Sequence, residues 1–127
     1  VSHDLRIAII DDDEAVRTAI ASLVRSLGYD ASTFASATDF LQSSARGEVA
    51  CLITDVEMPG MSGVELQAHL QKCGETLPII FITAFPAERL QRKVRAAGAV
   101  DLLRKPFDGA VLIGCLEKAL GNVSGSY

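Results

Sequence analysis

Five short apolar or alternating runs are separated by stretches of helical spacing along this chain, and that alternation restricts its possible folds more than any other feature. Residues 5–10 form the first run and end in Asp11-Asp12-Asp13. Val16, Ala19, Ile20, Leu23, Val24 and Leu27 then recur at the period of one helix face, and Gly28 stops that helix. Residues 29–34 alternate like a strand with one solvated side, and Ser36 with Asp39 opens a short helix to about residue 44. Residues 50–54 read as a buried strand ending at Asp55, followed by a loop with Pro59, Gly60 and Gly63. Ser62 and Glu65 have capping-box spacing ahead of a helix over 64–72.

Residues 77–83 are the most apolar run, β-branched and continuous, as in a central parallel strand covered on both faces. Pro86 suits the first turn of a helix to about residue 97, whose thin apolar face (Leu90, Val94) predicts loose packing. Residues 100–103 give the last strand, before Lys105-Pro106. Asp108 can cap a final helix with Val111, Leu112, Cys115, Leu116, Ala119 and Leu120 facing inward. Strands alternating with helices predict an α/β fold with a parallel sheet. Right-handed crossovers leave a doubly wound, three-layer sandwich with helices on both faces.

A length of 127 residues fits one domain, and 49% apolar with 22% charged residues is ordinary globular composition. The net charge of −4 lacks the electrostatic footprint of a nucleic-acid binder, so no direct nucleic-acid contact is expected. Cys51, Cys73 and Cys115 show no metal-ligand spacing and read as buried, reduced thiols. The longest apolar runs, 77–82 and 110–116, are too short to span a bilayer, and residues 1–6 carry no signal-type apolar region. A cytoplasmic domain over residues 1–120 is expected, with no membrane partner and with 121–127 as a tail or the start of a linker.

In a sheet of this kind the strand C-termini share one edge, and ligands bind there. Asp11 and Asp12 follow the first strand, Asp55 the third, Thr83 ends the fourth, and Lys105 follows the fifth. Singly, each acid reads as a cap or a solvated strand end, Thr83 as a strand residue and Lys105 as a surface amine. Asp13 keeps the capping role. Together they need another explanation. Two like charges about 4 Å apart repel by roughly 4 kcal/mol at an effective dielectric of about 20. That is a large cost in a domain stable by only about 5–15 kcal/mol. A hard divalent cation and Lys105 would offset it, and few oxygen ligands with room for water suit Mg2+. Rival sites are missing from the sequence: it holds no GxGxxG, GxxxxGK[ST] or GxSxG motif. His3 near the N-terminus and His69 within a helix give no credible base for a Ser-His-Asp set.

These residues resemble the receiver domain of two-component response regulators, over about residues 5–120. The resemblance rests on Ile-Asp-Asp-Asp-Glu-Ala-Val-Arg (10–17), Asp-Val-Glu-Met-Pro-Gly-Met-Ser-Gly (55–63), Phe-Ile-Thr-Ala (81–84), Ala-Gly-Ala-Val-Asp (97–101) and Lys-Pro-Phe (105–107). It looks closest to receivers of LuxR-type DNA-binding regulators, such as those of nitrogen fixation. The likeness implies a flavodoxin-like five-stranded parallel sheet of order 2-1-3-4-5. It also implies Asp55 as phosphoacceptor from a sensor histidine kinase. Asp12, Asp55 and the Glu57 backbone carbonyl would hold Mg2+ (or Mn2+), with Asp11 acting through water. Lys105 would pair with the phosphoryl oxygens and Thr83 would turn to bond one of them. The small Ala84 would keep the site accessible. Such a domain assists its own phosphorylation and dephosphorylation without independent turnover. It would control transcription through a DNA-binding domain absent from these residues, with dimerisation through the fourth helix, fifth strand and fifth helix.

Three positions depart from the family pattern. Leu102 stands where many relatives carry a switching Tyr or Phe. Phe85 stands where polar residues are frequent, and its bulk is expected to shield the acyl phosphate from water. Glu57 adds an acid beside the site. The alternatives are a non-phosphorylated pseudo-receiver acting as an interaction module, and a stand-alone receiver. An Asp-nucleophile phosphatase of the haloacid dehalogenase type needs DxD[GS][TV], which Asp-Asp-Asp-Glu does not supply.

Overall fold

The computed structural model describes residues 5–44 and 46–124, so His3 and residues 125–127 of the expected tail lie outside the described residues. Five parallel strands, β1 (Arg6–Ile10), β2 (Asp30–Phe34), β3 (Val49–Asp55), β4 (Ile79–Thr83) and β5 (Asp101–Arg104), form one sheet of order β2-β1-β3-β4-β5. Five helices join them: α1 (Glu14–Ser26), α2 (Ala37–Gln42), α3 (Gly63–Lys72), α4 (Glu88–Ala96) and α5 (Gly109–Ser124). The doubly wound α/β fold expected from the sequence is the fold observed.

The period of two along each strand builds two cores. Ile7, Ile9, Cys51, Ile53, Ile80, Ile82 and Leu103 face α1 and α5, meeting Ile20, Val24, Leu112 and Leu116. Ala8, Ile10, Leu52, Phe81 and Leu102 face the other way, meeting Phe40, Leu66, Leu70 and Val94 of α2, α3 and α4. Both sides of the central strands are therefore covered, which is why they read as nearly continuous apolar runs. Caps follow local chemistry: Asp13 accepts from the Ala15 and Val16 N–H groups, and Ser36 from that of Asp39. Ser62 and Glu65 make the reciprocal capping box, and the Asp108 carboxylate accepts from Ala110. Gly28 closes α1 at φ +97°, a left-handed conformation that costs glycine least.

Several boundaries differ from the sequence reading. β4 begins at Ile79 rather than residue 77, because Pro78 has no N–H for the ladder; its carbonyl accepts from Leu52. Pro86 precedes the helix: Ala87 is the N-cap of α4 and gives no side-chain bond. A 3-10 turn (Arg46–Glu48) leads into β3, and α2 ends at Gln42. α5 continues to Ser124, past residue 120. Val111 lies in the first turn of α5 beside the buried stripe and is half exposed, not inward. Cys51 and Cys115 are buried but Cys73 is exposed, at the open end of α3. Burial pushes the Cys51 thiol up to about 12, so it stays protonated. No helix among the described residues is long and apolar enough to cross a membrane.

Gly63 opens α3 against the end of β3. A Cβ there would stand 2.4 Å from the Asp55 carbonyl oxygen and 3.1 Å from the Phe81 ring. Gly63→Ala is expected to lower stability by about 1–3 kcal/mol, the usual range for overpacking, in urea denaturation. A midpoint equal to wild type would show that α3 can retreat from β3.

Candidate functional site

Each acid of the site is delivered by a strand end. Asp11 leaves β1 with its N–H bonded to the Phe34 carbonyl of β2 (3.2 Å), and its carboxylate Oδ1 accepts from the Asp13 N–H (2.8 Å). Asp55 ends β3, and its Oδ1 accepts from the Glu57 N–H at 3.2 Å. Lys105 follows β5 at a cis Lys105–Pro106 bond, with its own N–H bonded to the Thr83 carbonyl (2.8 Å). Thr83 ends β4 fully buried, and its hydroxyl oxygen accepts from the Phe85 N–H at 3.1 Å.

The structure brings four of the expected residues together. Lys105 Nζ lies 2.9 Å from Asp11 Oδ2 and 3.0 Å from Asp55 Oδ2. One carboxylate oxygen from each of Asp11, Asp12 and Asp55 lies within 4.8 Å of the others. Asp11 is completely buried and Asp55 nearly so, whereas Asp12 is exposed. Among the described residues, Asp11 Oδ2 is met only by the Lys105 ammonium at 2.9 Å, which it shares with Asp55.

Burial holds the Asp55 carboxyl above the usual carboxylate range. The Lys105 bond opposes this, while the neighbouring Asp11 charge adds to it. Burial pulls the Lys105 ammonium down, but the bonds to Asp11 and Asp55 and their charges outweigh it, and the net shift is upward. One ammonium thus serves two buried carboxylates beside a third acid. Two buried carboxylates sharing one ammonium in an all-oxygen cluster fit a hard divalent cation. Asp11, Asp12 and Asp55 could hold it.

The remaining expected positions are placed as follows. Glu57 is exposed and contributes its N–H to Asp55. Ala84 is exposed beside the site. Leu102 is buried in the core layer with Phe81 and Val94, filling space rather than standing at the surface. Phe85 is 72% exposed and belongs to neither core cluster. In this conformation the ring stands largely in solvent, and the loop carrying it is tied to the site by the Phe85 N–H on the Thr83 hydroxyl. His69 is half-buried on α3, with Nε2 3.7 Å from Cys73 Sγ.

Sequence reasoning missed Arg17, whose Nη1 donates to the Asp11 carbonyl at 2.8 Å and ties α1 to the acidic loop. The signal was present, since Arg17 lies one helical turn past the Asp13 cap. It also missed the close approach that requires Gly63.

Residues 7–117 match the family described as the response regulator receiver domain. The response regulator protein TodT of Pseudomonas putida is 46% identical over 114 residues, which cover 90% of this chain and 50% of that protein. The transcriptional regulatory protein FixJ of Azorhizobium caulinodans is 38% identical over 119 residues, covering 94% of this chain and 56% of that one. The solved structure of the response regulator StyR matches with a TM-score of 0.86 at 36% identity, over 97% of this chain and 62% of that chain. The chain spans about half the length of the curated relatives it matches.

The raised pKa of Asp55 has a stability consequence. A carboxyl that titrates higher when folded stabilises the fold while protonated, and that contribution is lost as pH rises through the folded value. Asp55→Asn without divalent cation is therefore expected to be more stable than wild type at neutral pH. The gain comes chiefly from removing the burial cost of the charge, together with the Asp11 repulsion, against the lost Lys105 pair. It should shrink as pH falls toward the ordinary carboxylate value of about 4. Urea midpoints between pH 4 and 8 check this, and a less stable Asn variant at neutral pH would contradict it.

Proposed function

Because the chain belongs to the response regulator receiver domain family, we propose that Asp55 accepts a phosphoryl group from the phosphohistidine of a sensor histidine kinase. The observation that carries this is Lys105 bridging Asp11 and Asp55 where a third carboxylate, Asp12, joins them. A carboxylate oxygen of Asp55 attacks phosphorus as the bond to the histidine nitrogen breaks, forming an acyl phosphate. Such a transfer depends on in-line positioning and charge neutralisation more than on acid–base groups.

Asp11, Asp12 and Asp55, with the Glu57 backbone carbonyl, would hold Mg2+ (or Mn2+). When bound, the cation supplies positive charge to the phosphoryl oxygens. The chain's own residues do the rest. Lys105, already poised at Asp55, moves its ammonium onto a phosphoryl oxygen. The buried Thr83 hydroxyl, which accepts from the Phe85 N–H, turns to donate to another and releases Phe85. The state so favoured differs in the loop from Ala84 to Ala87 and in α4. A coupling of about 1–3 kcal/mol is typical of such two-state switches. Leu102 packs behind that loop's strand, and the aromatic partner of the switch falls to Phe85.

The domain is a signalling module that assists its own phosphorylation and dephosphorylation and has no independent turnover. Its place is the cytoplasm, where the kinase presents its phosphohistidine. Like the transcriptional regulatory protein FixJ, which it resembles, it would act on transcription, through a DNA-binding domain outside these residues. Phosphorylation would favour a homodimer through α4, β5 and α5.

Intact-mass measurement after incubation with acetyl phosphate and Mg2+ tests this reading. One phosphoryl group is expected on the wild type. None is expected on Asp55→Asn or without the cation, and Lys105→Ala should slow uptake by about tenfold or more. Phosphorylation that persists in Asp55→Asn would overturn the assignment. So would a wild type that neither gains mass nor binds beryllofluoride, which would favour an interaction module.

A further inference from the structure

Helix α4 is held at one end only. At its C-terminal end Val94 is fully buried, and Arg95 makes an ion pair with Asp101 of β5 at 2.8 Å. Two glutamines of α3 reach the same end. Gln67 Nε2 donates to the Val94 and Ala97 carbonyls at 3.3 and 3.4 Å, and Gln71 Nε2 donates to the Ala97 carbonyl. Gln67 is only 4% exposed, in a core layer otherwise apolar. A buried amide is tolerated where its groups are satisfied, and the last carbonyls of a helix are those left without an intrahelical donor. The two needs meet at the Ala97 carbonyl, while the Val94 carbonyl, which already accepts from the Ala99 N–H (3.0 Å), takes Gln67 as a second donor. A cavity of about 230 Å³, lined by Gln67, Gln71, Ala97 and Gly98 among others, lies alongside. At this end the amides, and not close packing alone, join α3 to α4.

The N-terminal end has no such ties. Its N-cap, Ala87, gives no side-chain bond, and Leu90 is only partly buried. The side-chain bonds of this half stay within the segment: Gln91 to the Pro86 carbonyl (3.0 Å) and Arg92 to Glu88 (2.8 Å). Among the described residues, no side-chain hydrogen bond or ion pair joins residues 85–93 to α3 or β5. The loop ahead is held to the site by the Phe85 N–H on the Thr83 hydroxyl.

We infer that Gln67 and Gln71 are positioning residues that fix residues 94–97 as the pivot of α4, so that switching at Thr83 swings the N-terminal end of α4 while its C-terminal end stays docked. The swing rests on the receiver reading proposed above, whereas the pivot stands without it. It makes α4 a lever whose free end adjoins the loop carrying Phe85 and whose fixed end carries the Arg95–Asp101 pair.

Hydrogen exchange read by mass spectrometry on the full chain separates the two. Without ligand, amides 94–97 of the wild type should exchange about tenfold or more slowly than amides 90–92, after correction for intrinsic rates. Gln67→Met with Gln71→Met should flatten that gradient by speeding 94–97 alone. If the double variant does not fold, Gln71→Ala, at the exposed position, should speed 94–97 more than 90–92. An undiminished gradient in these variants overturns the pivot, since general destabilisation would speed both halves alike. With Mg2+ and beryllofluoride, binding is followed independently by fluorine NMR. Exchange should then change over 84–92 and stay constant over 94–97, and equal change along the whole helix would also overturn it. Absence of a bound fluoride signal would count against the receiver reading, while the ligand-free gradient would still decide the pivot.

Discussion

The ammonium of Lys105 between two buried carboxylates is the contact on which the rest of this molecule is arranged. Asp11 and Asp55 end neighbouring strands of the sheet, so their approach follows from β1 pairing with β3. Neither could sit ionised at such depth without a nearby cation. Lys105 supplies one charge where at least two are needed, and it is shared between Asp11 and Asp55. The fold keeps this edge in electrostatic deficit by covering the sheet on both faces and leaving the strand ends open. An imbalance of that kind is what a divalent cation would resolve, and the same cation would offset the further negative charge of an incoming phosphoryl group.

The link from that edge to the surface is short. Thr83 is buried beside the carboxylates' strands and bonds the loop that carries Phe85. A change in the hydroxyl's partner therefore reaches an exposed aromatic ring within two residues. The helix beyond is lightly packed at its start and sewn down at its end, and so it can move without unfolding the core layer that Val94 completes.

The layered fold was legible because strands covered on both faces carry unbroken apolar runs, and because helix starts are written in local chemistry at Asp13, Ser36, Ser62 and Asp108. The convergence of Asp11, Asp12, Asp55 and Lys105 was legible for a topological reason: parallel strands deliver their C-terminal residues to one edge. What stayed hidden depends on partners distant in sequence. Gln67 looks like an ordinary helix residue until its partners, 27 and 30 positions away, are known. The requirement for glycine at position 63 comes from the Asp55 carbonyl pressed against it. Phe85 is exposed in a loop whose N–H bonds the Thr83 hydroxyl, an arrangement that no local pattern announces. Pro78 and Pro86 shifted element boundaries by a residue or two for want of an N–H or a helical predecessor.

The electrostatic deficit at the sheet edge is tested most directly by thermal unfolding against Mg2+ concentration, with sodium chloride matching the ionic strength. The wild-type midpoint should rise with the logarithm of Mg2+ once the site begins to fill, as expected for a ligand that binds only the folded state. Asp12→Asn and Asp55→Asn should lose most of that rise. A wild-type midpoint that responds to Mg2+ no more than to the matched salt would contradict the account.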